Sequence, residues 1–121
     1  CPGLVEQVEQ GDLAGPLTRR LLEGFVAPLL AAGADTLVLG CTHYPFLEPL
    51  LRELAGGQVA IIESGAAVAR QLVRRLGGTD FVPAGTGGTE YFFSSGEPVQ
   101  LEALLPRLWG SPARVERLTA G

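Results

Sequence analysis

The sequence predicts an α/β domain with a parallel sheet flanked by helices. Three observations carry that expectation. Short β-favouring apolar runs alternate with longer stretches at helical spacing, and the connections between them are brief. Thr36–Leu39 is one such run, of the kind that a parallel sheet buries on both faces. Val59–Ile62 is a second, separated from the first by one helix-length segment, so the pair reads as a βαβ unit with a right-handed crossover.

The elements follow in chain order. Val5-Glu6-Gln7-Val8-Glu9 alternates and suits a strand edge or a loop, which leaves Glu9 a solvated carboxylate on composition alone. Pro16 fits a first helical turn, and Leu21, Leu22, Phe25, Val26, Leu29 and Leu30 form an apolar stripe to about Ala32. Pro28 lies inside that stripe and should kink it or loosen a turn, and Gly33 ends it. After the first strand a helix is expected from about Phe46 to Ala55, and Gly56-Gly57 turns the chain into the second strand. Ser64 is placed to cap the next helix, with Val68, Leu72 and Val73 inward and Arg70, Arg74 and Arg75 on a wet face. Gly77 to Gly88 reads as a loop or a crossover. Glu90 to Ser94 is strand-like, Pro98 to Trp109 helical with Leu101, Leu104, Leu105 and Leu108 apolar, and Val115 to Leu118 a terminal strand or edge. Residues 1–76 thus form one α/β lobe, and 77–121 a later segment with little core of its own.

The bulk numbers exclude several classes. At 121 residues, 46% hydrophobic and 18% charged, the chain has the composition of one folded domain. A net charge of −4, from nine Lys plus Arg against thirteen Asp plus Glu, argues against a nucleic-acid surface. No apolar run approaches the roughly 20 residues that span a bilayer. No secretory leader pattern opens the chain. It starts at Cys1 and contains no Met, so it reads as a segment of a longer polypeptide; a lipoprotein beginning at Cys is the lesser alternative. Two cysteines forty residues apart make no disulfide framework, and a reduced cytoplasmic compartment is the simpler expectation.

The chemistry concentrates in Leu39-Gly40-Cys41-Thr42-His43-Tyr44-Pro45-Phe46-Leu47. A thiol, a hydroxyl and an imidazole arrive together where a strand ends and a helix begins. In open α/β sheets that carboxyl edge is where ligands bind, and a helix start favours a thiolate or a bound carboxylate. Cys41 as a small buried hydrophobe is the plainer alternative. A closed zinc site needs four ligands, and Cys1 is the only other sulfur. A Cys/His hydrolase lacks an orienting third group. Gly85-Thr-Gly-Gly-Thr lacks the Gly-Lys-Ser/Thr ending of a P-loop. Glu63-Ser64, after the second strand, has a claim on the same cleft.

That nine-residue stretch resembles the second-cysteine motif of bacterial glutamate racemases. The likeness extends to Cys1-Pro2 leading to Val8-Glu9, Ala27-Pro28-Leu29-Leu30, Gly33 to Val38, Ile61-Ile62-Glu63-Ser64, and Tyr91-Phe92 with Ser95-Gly96-Glu97-Pro98. It implies an incomplete portion, the C-terminal half, of a two-lobed enzyme. Such enzymes interconvert L- and D-glutamate for peptidoglycan without cofactor or metal, using two cysteines on opposite faces of the substrate. Carried over, Cys41 is one proton acceptor and donor, His43 assists it, Glu9 orients His43, and Thr42 with His43 holds the substrate's carboxylate or amine. A thiol at its ordinary pKa of about 8.5 is only a few per cent ionised at neutral pH, so such a neighbour is needed. Gly3 to Gln7 departs from the family's usual run before the glutamate, and Glu63 stands where an aspartate is usual.

The resemblance further implies glutamate as small-molecule partner and the missing N-terminal half as protein partner, with no nucleic acid and no membrane. It leaves the oligomeric state open, a homodimer included. The 121 residues alone are not expected to racemise glutamate. An aspartate or other amino-acid racemase is the rival within the superfamily, whose members tend to carry glutamate where this chain has His43. A non-catalytic binding domain is the rival outside it.

Overall fold

A computed structural model describes residues 1–76 and 88–119. They fall into two compact units, within Cys1–Ala84 and Gly85–Gly121. The loop expected over Gly77 to Gly88 lies, but for Gly88, outside the described residues.

In the first unit α1 (Leu4–Glu9) and α2 (Pro16–Ala31) precede β1 (Thr36–Leu39). A 3-10 turn, η1 (Tyr44–Leu47), runs into α3 (Glu48–Ala55), then β2 (Ala60–Glu63) and α4 (Gly65–Arg75). β1 and β2 pair in parallel, Thr36 opposite Ala60 through Leu39 opposite Glu63, with α3 as the connection. The core is aliphatic: Leu4 and Val8 of α1, Leu22 and Val26 of α2, Leu47 of η1, and Leu50 and Leu51 of α3 close over Leu37 and Leu39. Thr18 is fully buried and donates its hydroxyl to the Asp12 carbonyl at 3.0 Å. The Asp12 carboxylate accepts from the Gly15 amide at 2.6 Å, so the turn into α2 satisfies its own polar groups. Pro28 lies within α2 and does not end it.

Five expectations are corrected. Glu9 ends a short helix and is not on a strand edge or loop; Leu4, Gln7 and Val8, at spacings of three and four, are its buried side. The helix expected from Phe46 begins as a 3-10 turn. Pro49 has no N–H to give to the carbonyl of Pro45, so the chain closes tighter rings, Phe46 N–H onto the His43 carbonyl at 3.2 Å, before α3 starts. β1 is buried on one face only: Leu37 and Leu39 are covered, while Val38 is 71% exposed. Val68, Leu72 and Val73 of α4 face solvent: α4 buries no residue, and the core of this unit is closed by α1, α2, η1 and α3 without it. Ser64 makes no side-chain capping bond. Glu63 does that work instead, accepting from the amides of Gly65 at 2.6 Å and Ala66 at 3.2 Å. Replacing Glu63 with alanine should therefore weaken the first turn of α4 by about 1 kcal/mol, read as faster amide exchange at Gly65 and Ala66.

Arg19 of α2 donates through one Nη to both carboxylate oxygens of Glu53 in α3, at 2.9 Å each. The guanidinium holds the Glu53 carboxyl below its ordinary value of 4.5, and the pair in turn holds Arg19 above its own. A depressed carboxyl pKa gives stability that is present above the unfolded-state value and lost as pH falls through the folded one. Glu53→Gln should lower the urea midpoint at pH 7 slightly, and the difference from the parent should vanish by pH 3. The pair is solvent-exposed, which keeps the effect small.

In the second unit β3 (Phe92–Ser94) and β4 (Val115–Arg117) pair in parallel, with α5 (Pro98–Leu108) between them. Leu105 and Val115 are its buried residues, and Phe92 meets Trp109 edge-on at 5.7 Å between ring centroids. Glu102 accepts from the Val115 amide at 2.9 Å, tying the start of β4 to α5.

Candidate functional site

β1 ends at Leu39, and Gly40 releases the chain into the loop that carries Cys41, Thr42 and His43. The loop is pinned behind by Leu47, 1% exposed beneath η1, and before by Leu39. Its three polar side chains therefore stand at the carboxyl edge of the sheet. Cys41 is half-buried and free of any disulfide, and Thr42 is exposed.

His43 is the hub. Its Nδ1 lies 3.9 Å from the Cys41 sulfur and 3.4 Å from the Thr42 hydroxyl oxygen. On the other side of the ring Nε2 meets a Glu9 carboxylate oxygen at 3.4 Å. A carboxylate can only accept, so a neutral ring donates from Nε2 and leaves Nδ1 as acceptor for the thiol or the hydroxyl. Glu9, distant in sequence from the loop, joins His43 and Cys41 in one continuous path from carboxylate to sulfur. The imidazole is a third exposed and the carboxylate more so, and the path opens to solvent at its Glu9 end.

α1 brings the carboxylate there. Leu4 and Val8 bury that helix against α2 and η1, and the last residue of its two turns is Glu9. Gly3 starts the helix at φ 89°, a left-handed conformation that suits glycine. Tyr44, which sequence reasoning passed over, donates its hydroxyl toward the Cys1 carbonyl at 3.5 Å. Partial burial, then the charges of Cys41 and Glu6, push its phenol up, so it stays a proton-bearing donor.

Glu63 lies across the sheet from Leu39, at the same edge, but its carboxylate is engaged by α4. Among the described residues no group of three His, Cys, Asp or Glu is disposed to hold a metal ion. None of the described helices is long and apolar enough to cross a membrane.

No family model matches the chain. A glutamate racemase of Pseudomonas aeruginosa is 54% identical over 118 residues, which is 98% of this chain and 44% of that protein. The chain is homologous to glutamate racemases. It corresponds to the C-terminal part of such proteins and spans less than half the length of the curated relatives it matches. The fold agrees. The crystal structure of a glutamate racemase isoform from Bacillus anthracis superimposes with a TM-score of 0.81 at 30% identity, covering 98% of this chain and 45% of that one. A glutamate racemase from Thermus thermophilus, solved with β-chloro-D-alanine, gives 0.77 at 28% identity, covering 98% and 46%. Both neighbours place this chain in an incomplete portion of a larger α/β fold, as expected from the sequence.

Proposed function

We propose that the chain supplies one of two catalytic thiols in a glutamate racemase that works by two bases and without a cofactor. The observation that carries this reading is the path from Glu9 through His43 to the Cys41 sulfur.

In that reaction Nδ1 of His43 takes the thiol proton. The sulfur then removes the α-hydrogen of L-glutamate, and the C–H electron pair stays on carbon, delocalised into the adjacent carboxylate. A thiol on the opposite face of the substrate gives a proton back, forming D-glutamate. In the reverse direction Cys41 is the donor. Glu9 supports the imidazolium formed in between, and Thr42 with His43 holds a substrate carboxylate or amine. The Thermus relative's complex with β-chloro-D-alanine, an amino-acid analogue, fits an amino-acid substrate. The second thiol comes from the remaining half of the enzyme, onto which residues 77–121 cross and pack. The product serves peptidoglycan synthesis in the cytoplasm.

The test is solvent exchange. Glutamate in D₂O should remain undeuterated with the 121-residue chain alone and acquire α-deuterium once the remaining half is supplied. Turnover by the isolated chain would overturn the two-thiol reading. Exchange into aspartate and not glutamate would move the substrate.

A further inference from the structure

The imidazole of His43 has one acceptor and two claimants for it. With its Nε2–H given to Glu9, Nδ1 keeps a single lone pair in the ring plane. The Thr42 hydroxyl oxygen stands 3.4 Å from that nitrogen and the Cys41 sulfur 3.9 Å from it. One lone pair cannot close both bonds, so whichever proton occupies Nδ1 excludes the other. The loop backbone beneath them is tied twice. The Tyr44 amide donates to the Cys41 carbonyl at 3.3 Å, and the Phe46 amide to the His43 carbonyl at 3.2 Å. Rotation of a hydroxyl is then the smallest motion that decides between the two donors.

Two properties of the donors rank them. A hydroxyl is a full hydrogen-bond donor, whereas a thiol donates weakly, so Nδ1 favours Thr42 when nothing else is bound. Thr42 is also exposed while Cys41 is half-buried, which leaves the hydroxyl open to a ligand entering from solvent. A carboxylate is a better partner for that hydroxyl than a neutral imidazole, because a bond to a charged acceptor is roughly twice as strong. An arriving carboxylate therefore favours the arrangement in which Thr42 has turned away from the ring.

We infer that the Thr42 hydroxyl holds Nδ1 while the site is empty, and yields it to the Cys41 thiol when a substrate carboxylate draws the hydroxyl away. Cys41 is thereby kept a thiol until an amino acid is in place. The inference rests on the reading of Cys41 as a racemase base. On release the S–H bond breaks, its electron pair stays on sulfur, and the proton goes to Nδ1, with Glu9 still accepting at Nε2. A thiolate then exists mainly when a carbon acid is there to meet it. Between turnovers the sulfur is spared alkylation and oxidation, both of which need the ionised form.

Alkylation of Cys41 by iodoacetamide near neutral pH reads its thiolate population. Cys1 is exposed and, counted separately by peptide mass, serves as the reference thiol. In the 121-residue chain Thr42→Val keeps the shape of the side chain and removes the competing proton. It should speed alkylation of Cys41 about threefold to tenfold, the net effect of one neutral hydrogen bond. Thr42→Ser should keep the parent rate, and in a His43→Gln background Thr42→Val should change nothing. The chain has a single histidine, so labelling its histidine with ¹⁵N gives one imidazole to follow. In protein reconstituted with its remaining half, glutamate should move the Nδ1 resonance from the unprotonated toward the protonated range. α-Deuteration of glutamate is read on the same samples. A Thr42→Val rate equal to the parent's, an equal gain in Thr42→Ser, or a gain that survives His43→Gln would overturn the inference; deuterated glutamate would then keep the racemase. An imidazole unmoved by glutamate that is being deuterated would overturn it too. The full alkylation pattern without deuteration would keep the hydroxyl's hold on Nδ1 and sink the racemase.

Discussion

Cys41→Ala, in protein reconstituted with its remaining half, should lose α-hydrogen exchange of glutamate by roughly a hundred- to ten-thousand-fold, the range that a positioned acid–base group contributes. Of the two side-chain atoms described near His43 Nδ1, the sulfur is the one suited to act as a base, since a threonine hydroxyl is far too weak an acid to ionise near neutrality. The thermal midpoint should hardly move, because Cys41 is only half-buried. A Cys41 that served as packing would give the reverse pattern, with a lowered midpoint and intact exchange. His43→Gln keeps a polar side chain but takes away the proton acceptor, and its exchange rate should fall between those of Cys41→Ala and the parent.

The second large effect is on stability. Leu47→Ala should lower the unfolding free energy by about 2–5 kcal/mol, read from urea denaturation. Leu47 is 1% exposed, at the point where η1 meets α3 and four residues beyond His43. The cavity left behind would also free the loop above it, so the 3.9 Å approach of His43 to Cys41 should loosen in whatever fraction remains folded. Val38→Thr is the comparison. Its side chain is 71% exposed in the isolated chain, and its stability cost should stay within about 0.5 kcal/mol.

The strands and long helices were readable because their signals are local. Thr36–Leu39 is a run of four with β-favouring residues between Asp35 and Gly40, and the strand has those bounds. Pro16 opens α2 as the sequence suggests. What periodicity cannot supply is the identity of the cover. Val68, Leu72 and Val73 form an apolar stripe whether or not anything lies against it, and in this chain nothing does among the described residues. α1 is not legible in the sequence because two turns hold too few residues to tell a period of 3.6 from one of 2. Ser64 lost the capping role to Glu63 because the longer carboxylate reaches two amides at once. At the site, the residues after β1 announced themselves by position. The partnership of Glu9 with His43 came only through resemblance, since thirty-four residues separate them and no local pattern joins them; the 3.4 Å contact now supplies a physical basis.

Glu9 stands on a lever barely two turns long, gripped at Leu4 and Val8 and hinged at Gly3. A hydrocarbon change in that grip, such as Val8→Ala, would tilt the carboxylate away from the ring while leaving every polar group in place. The carboxylate–imidazole contact is thereby set from the oily interior, and a substitution remote from every polar group of the loop would change it.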